Sequence, residues 1–201
     1  MKEAYLEKGR RDQKKRTRNK LLEAAHSLLR EGAEFTLEAV AERAGVSRAT
    51  AYRYYSNKDV LSAEAVLDMR TRHPDAILDE LEPASLRDTL AGIQRYYNSL
   101  TAENEAAFRT YLSVILSADN QVNQRGARRV QALERALHDK GSAIPEEHRE
   151  RFVHLATLLM GIEAYIVMKD VCGLDAKTAD ATLEWGLQCL LKGVTAAGPS
   201  S

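Results

Sequence analysis

An all-α fold is predicted by three features of this 201-residue sequence. Apolar residues recur every three or four positions along nearly the whole chain, which is the pattern of amphipathic helices. Breakers are scarce, with 4 Pro and 11 Gly, and only 6% of the residues are aromatic while Ala and Leu dominate the apolar set, a composition that favours helix. No alternating run longer than a few residues offers a strand.

Each element has its own signal. Residues 1–16 are polar and basic, with Lys2, Lys8, Arg10, Arg11, Lys14, Lys15 and Arg16, and read as a mobile basic arm. Leu21, Leu22, Ala25, Leu28 and Leu29 form the stripe of a helix over 17–31 that Gly32 ends. Thr36 caps a short helix with Glu38 in its first turn and Leu37, Val40, Ala41 and Ala44 as its apolar positions. Gly45 supplies a turn, and Ser47 caps the next helix, to about Tyr55. Ser56 or Asn57 caps a fourth, containing Val60, Leu61, Ala65, Val66 and Met69. His73-Pro74 breaks the chain. Ser85, with Asp88 three residues on, caps a helix carrying Leu86, Leu90, Ile93 and Tyr97. Further helices are expected over about 103–118 and 122–140. Pro145 opens a long helix expected to continue to about Val171. Gly173 closes it, Asp175 caps the last helix over about 176–194, and the tail AAGPSS reads as disordered.

Residues 36–58 carry the chemistry. Two short helices joined by a Gly-containing turn and followed by an aromatic-basic cluster form a helix-turn-helix, whose second helix enters the DNA major groove N-terminus first. Arg48 offers a bidentate fork to guanine O6/N7. Ala49 is small enough for close approach and for contact with a thymine methyl. Ser47, Thr50, Tyr52, Tyr54 and Lys58 supply polar groups at phosphate pitch, and Thr36 does likewise from the preceding helix. Arg53 is either a contact or a solvated charge, and Tyr55 is expected to pack inward. Charge agrees: residues 1–60 carry a balance of +5 and the remainder −5, within a net charge of zero. A basic end on an acidic body suits contact with a polyanion at one end. For the arm, groove or phosphate contact and a solubilising tail both remain open.

These residues resemble the N-terminal domain of TetR-family (tetracycline-repressor-like) transcriptional regulators. The resemblance covers 18–67 and rests on Arg18, Leu21, Leu22, Ala24, Ala25 and Gly32, then Thr36-Leu37-Glu38, Val40-Ala41, Ala44-Gly45-Val46-Ser47, Ala49-Thr50, Tyr52, Tyr54-Tyr55, Asn57-Lys58 and Leu61. It implies an N-terminal three-helix DNA-binding domain (17–72 with its connecting fourth helix) and a C-terminal helical domain over 73–201 for effector binding and dimerisation. It also implies a homodimer, usually repressive, released from a palindromic operator by a small molecule. By position, Arg48, Ala49 and Tyr52 would face bases, and Thr36, Thr50, Tyr52, Tyr54 and Lys58 the backbone. Ala51 departs from the larger apolar residue common there, and Tyr55 from a common Phe. Glu38 stands where some members place a base-reading Arg; it could accept from a cytosine amine or be a solvated first-turn charge.

In the C-terminal body, the helices over 145–171 and 176–194 carry wide apolar faces, suited to a four-helix bundle between two copies. Ile162, Tyr165, Ile166, Leu183, Leu187 and Leu190 are the expected interface, with filling of the subunit's own core as the competing use. Glu163 lies among Leu159, Met160, Ile166 and Val167, so it needs a partner, with Arg109 or the Arg128–Arg129 pair as candidates. Tyr96, Tyr97, Phe108, Arg109, Tyr111, His154 and Glu163 are the candidate effector-site residues. Cys172 and Cys189 are too few for a disulfide scaffold; buried, inert thiols in a reducing cytoplasm are expected. No apolar run approaches a membrane span and no secretory leader is visible. Without metal-ligand spacing, a phosphate-cradling loop or a nucleophile motif, neither an enzyme nor a cofactor is expected. The competing function is a DNA-binding interaction protein on the same fold that recruits a protein partner and has no effector.

Overall fold

A computed structural model describes the backbone of residues 2–81, 85–117, 128–140 and 143–196, with side chains for these except 2–12, 15, 114, 115 and 117. All the regular structure among the described residues is helical. The order is α1 (Lys2–Glu31), α2 (Leu37–Arg43), α3 (Arg48–Tyr54), α4 (Lys58–Arg70), α5 (Pro74–Asp79), α6 (Leu86–Glu103), α7 (Glu105–Ser117), α8 (Arg128–Lys140), α9 (Glu146–Leu158), α10 (Ile162–Ile166), a π-helical turn (Val167–Val171) and α11 (Ala176–Ala196). The chain divides into two compact units, residues 1–70 with 109–123, and 71–108 with 124–201. The expected start of a helix at 122, its neighbour's end at 118 and the tail beyond Ala196 lie outside the described residues.

The first unit is built on α1–α4. Leu21, Leu22, Ala25 and Leu28 of α1 meet Leu37, Val40 and Ala41 of α2, Ala51 and Tyr54 of α3, and Val60, Leu61 and Ala65 of α4 in one buried cluster. α1 begins at Lys2 rather than near Thr17, so residues 2–16 extend it as helix in place of a mobile arm. The physical reason is local: the segment is rich in Glu, Lys, Arg, Gln and Ala, all strong helix formers. Thr17, which could have capped a later start, instead bonds the Gln13 carbonyl at 3.0 Å. Arg18 of α1 is paired with Glu64 of α4, and that carboxylate is buried. His26 lies 3.3 Å from Asp68 across the same pair of helices. At the far end of α1, Arg43 grips Glu31 through two nitrogens at 2.7 and 2.9 Å, which with Ser27 lowers the Glu31 carboxyl to about 2.

The second unit packs α5, α6, α8, α9 and α11 around Leu90, Ile93, Tyr97, Leu133, Ile144, Phe152, Met160 and Leu187. His73 caps α5 and Pro74 occupies its first turn, as the break there anticipated. Ser85 caps α6 by accepting from the Asp88 amide at 3.2 Å.

The expected long helix over 145–171 is not continuous. α9 stops at Leu158, the axis turns by 49°, and α10 follows. Gly161 makes the break, with φ +84° and ψ −166°, a region essentially closed to residues with a Cβ. Backbone groups freed at the break are claimed by side chains from other helices. Gln94 Nε2 of α6 donates to the Leu159 carbonyl at 2.8 Å and to the Leu183 carbonyl of α11 at 2.9 Å. Asn98 Oδ1 accepts from the Gly161 amide at 3.0 Å. Arg129 of α8 donates both to the Met160 carbonyl and, at 2.9 Å, to Glu163. Glu163 is thus one partner of a half-buried ion pair with Arg129, a member of the pair of arginines named as candidates. No single described helix is long and apolar enough to cross a membrane.

Candidate nucleic-acid interface

The α2–α3 pair is held by its caps. Thr36 Oγ1 accepts from the Ala39 amide at 3.1 Å, and Ser47 Oγ accepts from the Thr50 amide at 3.1 Å and meets the Thr50 hydroxyl at 2.9 Å. Between them the chain reverses at Gly45, φ +65°, where the Val46 amide reaches back to the Ala41 carbonyl at 3.0 Å. This is the six-to-one closure that favours glycine at the left-handed position. Asn57, rather than Ser56, caps α4, accepting from the amides of Asp59 and Val60 at 3.0 Å each.

α3 has seven residues, and its periodicity sorts them cleanly. Ala51 and Tyr54 are buried, and Tyr55 beyond its end is buried as well. That leaves Arg48, Ala49, Tyr52 and Arg53 as one outward row, with Ser47 exposed before them and Lys58 exposed at the start of α4. Ala51 has no solvent exposure, so the small side chain departs from the larger residue expected there at a tightly packed point. The Tyr55 phenol is pushed up to about 12 by its burial. The Tyr54 ring is also buried, with the Arg53 guanidinium 5.7 Å from its centroid, so a contact from Tyr54 is limited to its hydroxyl. Thr36 and Thr50 are half-buried, each engaged at a cap.

Tyr52 is half exposed, and its hydroxyl donates to Glu38 Oε1 at 2.9 Å. That bond, then the residue's own amide and the nearby Arg48 charge, hold the Glu38 carboxyl below its ordinary range. The same bond raises the Tyr52 phenol. The first turn of α2 and the middle of α3 are thereby joined at the outward face, a pairing that helical periodicity within either helix does not reveal.

The candidate effector residues fall in both units. Tyr96 and Tyr97 meet edge to face, centroids 5.1 Å apart, with Phe108 packed on the same core. The Tyr96 hydroxyl accepts from the Arg72 amide at 2.7 Å, and Arg128 donates to the Thr71 carbonyl at 2.7 Å, so two side chains hold the backbone that leaves α4. Tyr97 is buried, its hydroxyl has no hydrogen-bond partner among the described residues, and burial drives its phenol well above the ordinary range. Arg109 and Tyr111 belong to the first unit. His154 is exposed on α9 and does not face the interior. A surface hollow of about 320 Å³ between the start of α6 and the end of α11 is lined by Leu86, Arg87, Gln188, Leu191 and Lys192 among others, and none of the candidate residues borders it.

The expected interface residues divide as well. Ile162, Tyr165, Leu183 and Leu187 are buried within the subunit, and Ile166 and Leu190 are half-buried. What faces outward is a different set: Leu155 and Leu158 on α9, Val167 and Val171 on the π turn, and Trp185 on α11, the last 67% exposed. Leu159 lies alongside Gly186, which brings the Leu155–Leu158 and Trp185 stretches of α9 and α11 next to each other. Periodicity identified these faces as apolar without separating the side turned to the core from the side turned to water. Both cysteines are exposed, contrary to the expectation of buried thiols, because Cys172 follows the π turn and Cys189 lies one turn beyond Trp185. Among the described residues no group of three His, Cys, Asp or Glu is arranged to hold a metal ion.

Comparison with known proteins meets the same segment. Residues 21–65 match the family described as bacterial regulatory proteins, tetR family. Over 75 residues the chain is 43% identical to an uncharacterized HTH-type transcriptional regulator of Mycobacterium bovis and to uncharacterized HTH-type transcriptional regulators of two Mycobacterium tuberculosis strains. The alignment covers 36% of this chain and 35% of each relative, so about a third of the relatives' length is matched. The matched residues include most of the buried α1–α4 cluster and the whole of α2 and α3. The segment that holds this helix-turn-helix, residues 21–65, is thus similar to the bacterial regulatory proteins of the tetR family.

Proposed function

We propose that the protein is a sequence-specific DNA-binding transcriptional regulator that acts as a homodimer on a palindromic operator and is released by a small-molecule effector. The outward row Arg48, Ala49, Tyr52 and Arg53, backed by buried Ala51, Tyr54 and Tyr55, carries this reading. It is a rigid, partly cationic helix face of the kind that enters a major groove, flanked by polar groups at Thr36, Ser47, Thr50 and Lys58 for the backbone. The test is selection of bound duplexes from a random pool. A palindromic consensus with half-sites about one DNA turn or a multiple apart, ~34–36 Å per turn, is the expected result; recovery of no consensus would sink the reading. Arg48→Ala is expected to weaken binding to the selected duplex by about 1–3 kcal/mol and to relax preference at a single base pair, measured by titration against single-site operator variants.

A second copy is the proposed cover for the Leu155, Leu158, Val167, Val171 and Trp185 face. Burial of that apolar face is the proposed driving force for pairing two copies, each of which brings one recognition helix. Trp185→Glu is expected to convert the dimer to monomer in sedimentation experiments and to abolish cooperative binding to the palindrome. An unchanged sedimentation coefficient would rule this face out as the interface.

Regulation follows from population shift: an effector must favour the off-DNA state by its differential affinity. The hold of Tyr96 and Arg128 on Arg72 and Thr71 supports this, since a ligand that moved either side chain would disturb the backbone at the end of the connecting helix.

A further inference from the structure

We propose that Glu38, positioned by Tyr52, reads the exocyclic amine of a cytosine in the major groove and fixes the operator at one base pair of each half-site. The inference rests on the DNA-binding reading above and adds to it the residue and the base.

Three observations carry it. First, Glu38 and Tyr52 lie on different helices, and their 2.9 Å hydrogen bond draws the carboxylate onto the face formed by the outward row of α3. Second, the Tyr52 hydroxyl and the residue's own amide leave part of the carboxylate's capacity unused, since an ionised carboxylate has roughly four acceptor sites and no donor. Its remaining capacity can be met only by a hydrogen-bond donor. Third, a negative group on a DNA-facing surface is repelled by phosphates, and only a donor at close range offsets that repulsion. In the major groove the donors are cytosine N4 and adenine N6. The adenine amine is flanked by acceptors on both sides, its own N7 and thymine O4, which oppose a carboxylate. The cytosine amine has an acceptor on one side only, the guanine O6, so cytosine is the favoured base.

Tyr52 changes role accordingly. Its single hydroxyl proton is given to Glu38, so it has none left to donate to a phosphate. It is a positioning residue whose exposed ring lines the groove and whose hydroxyl sets the carboxylate rotamer. Arg48 stands close enough to attract the same carboxylate, which ties the guanine-reading and cytosine-reading positions into one cluster.

The experiment uses the full chain and selects duplexes with the wild type, Glu38→Gln and Tyr52→Phe, followed by titration against the wild-type consensus and single-position variants. The wild type is expected to prefer C·G at one position of each half-site by on the order of tenfold. Glu38→Gln is expected to lose that preference and move toward adenine, whose N6/N7 pair suits an amide. Tyr52→Phe is expected to weaken discrimination at that same position and no other, and the double variant to match Glu38→Gln alone, as two residues acting on one contact require. Thermal midpoints establish that both variants are folded. An identical consensus and undiminished discrimination in Glu38→Gln would overturn the proposal. So would a uniform gain of affinity for every sequence, which makes Glu38 a repulsive charge only. A wild type that selects no sequence would remove the DNA-binding reading and this one with it, which separates the two failures.

Discussion

Arg18→Ala is expected to lower the stability of the protein by about 3 kcal/mol, at the low end for breaking a buried ion pair from one side. The side chains of Arg18 and Glu64 are 19% and 9% exposed, so the pair sits largely out of water where α1 meets α4. Removing the guanidinium leaves a buried carboxylate on α4 without its cation. A drop in melting temperature on the order of 10 °C is the expected readout. The companion measurement is Arg18→Met with Glu64→Leu, which removes both charges and keeps apolar volume. That double variant is expected to recover most of the loss, because the penalty belongs to the stranded charge and not to the missing attraction. A single variant as stable as the double would mean that the pair is solvated. The proposed DNA binding is expected to fall with the same pair, since α4 and α1 form the wall against which α2 and α3 are packed.

Gly161→Ala is expected to cost roughly 3 kcal/mol, from two sources that add. The backbone at φ +84°, ψ −166° penalises any Cβ by about 1–3 kcal/mol. A Cβ there would also run into the Arg129 guanidinium and push it from the Met160 carbonyl and Glu163. Chemical denaturation of the variant measures the sum. Adding Arg129→Ala to Gly161→Ala separates the two: the steric part disappears while the dihedral part remains, so the pair should be less than additive. Additivity would mean that Arg129 swings aside without loss.

How far the fold could be read in advance depended on whether the deciding interaction was local. Thr36, Ser47 and Ser85 were legible as caps because a cap is made by a short polar side chain with an amide two or three residues on. Gly45 was legible because a turn between two short apolar runs needs a left-handed residue. The break at Gly161 was not, because the run from Leu158 to Val167 is apolar on both sides and its periodicity continues through the glycine. What makes the break tolerable is Gln94, Asn98 and Arg129, which come from α6 and α8 and leave no mark in the local pattern. The helical start at Lys2 was missed for the opposite reason. Basic residues signal a polyanion partner, and that reading hid their good helix propensity.

At the candidate interface, residue types and spacing marked Arg48, Ala49, Tyr52 and Lys58 as contacts; α3 turns the first three outward, and Lys58 is exposed at the start of α4. The Glu38–Tyr52 bond spans fourteen residues and two helices, so only a folded hairpin brings the pair together. The apolar C-terminal faces were legible as apolar. Division into a face turned inward, with Leu183 and Leu187, and a face turned outward, with Trp185, depends on how α9 and α11 are rotated against each other, which composition does not encode.

The outward position of Trp185 offers an optical test of the proposed pairing of two copies. It is the only tryptophan in the chain, so intrinsic emission excited in the indole band comes from a single site with no background from a second. In a dilute sample that indole is wetted and emits to the red. Under the proposed pairing, a partner copy that covers it is expected to shift the emission to the blue and shield it from a dissolved quencher. Association constants, and any change in them on adding an operator duplex or a candidate effector, can therefore be followed on the unlabelled native chain.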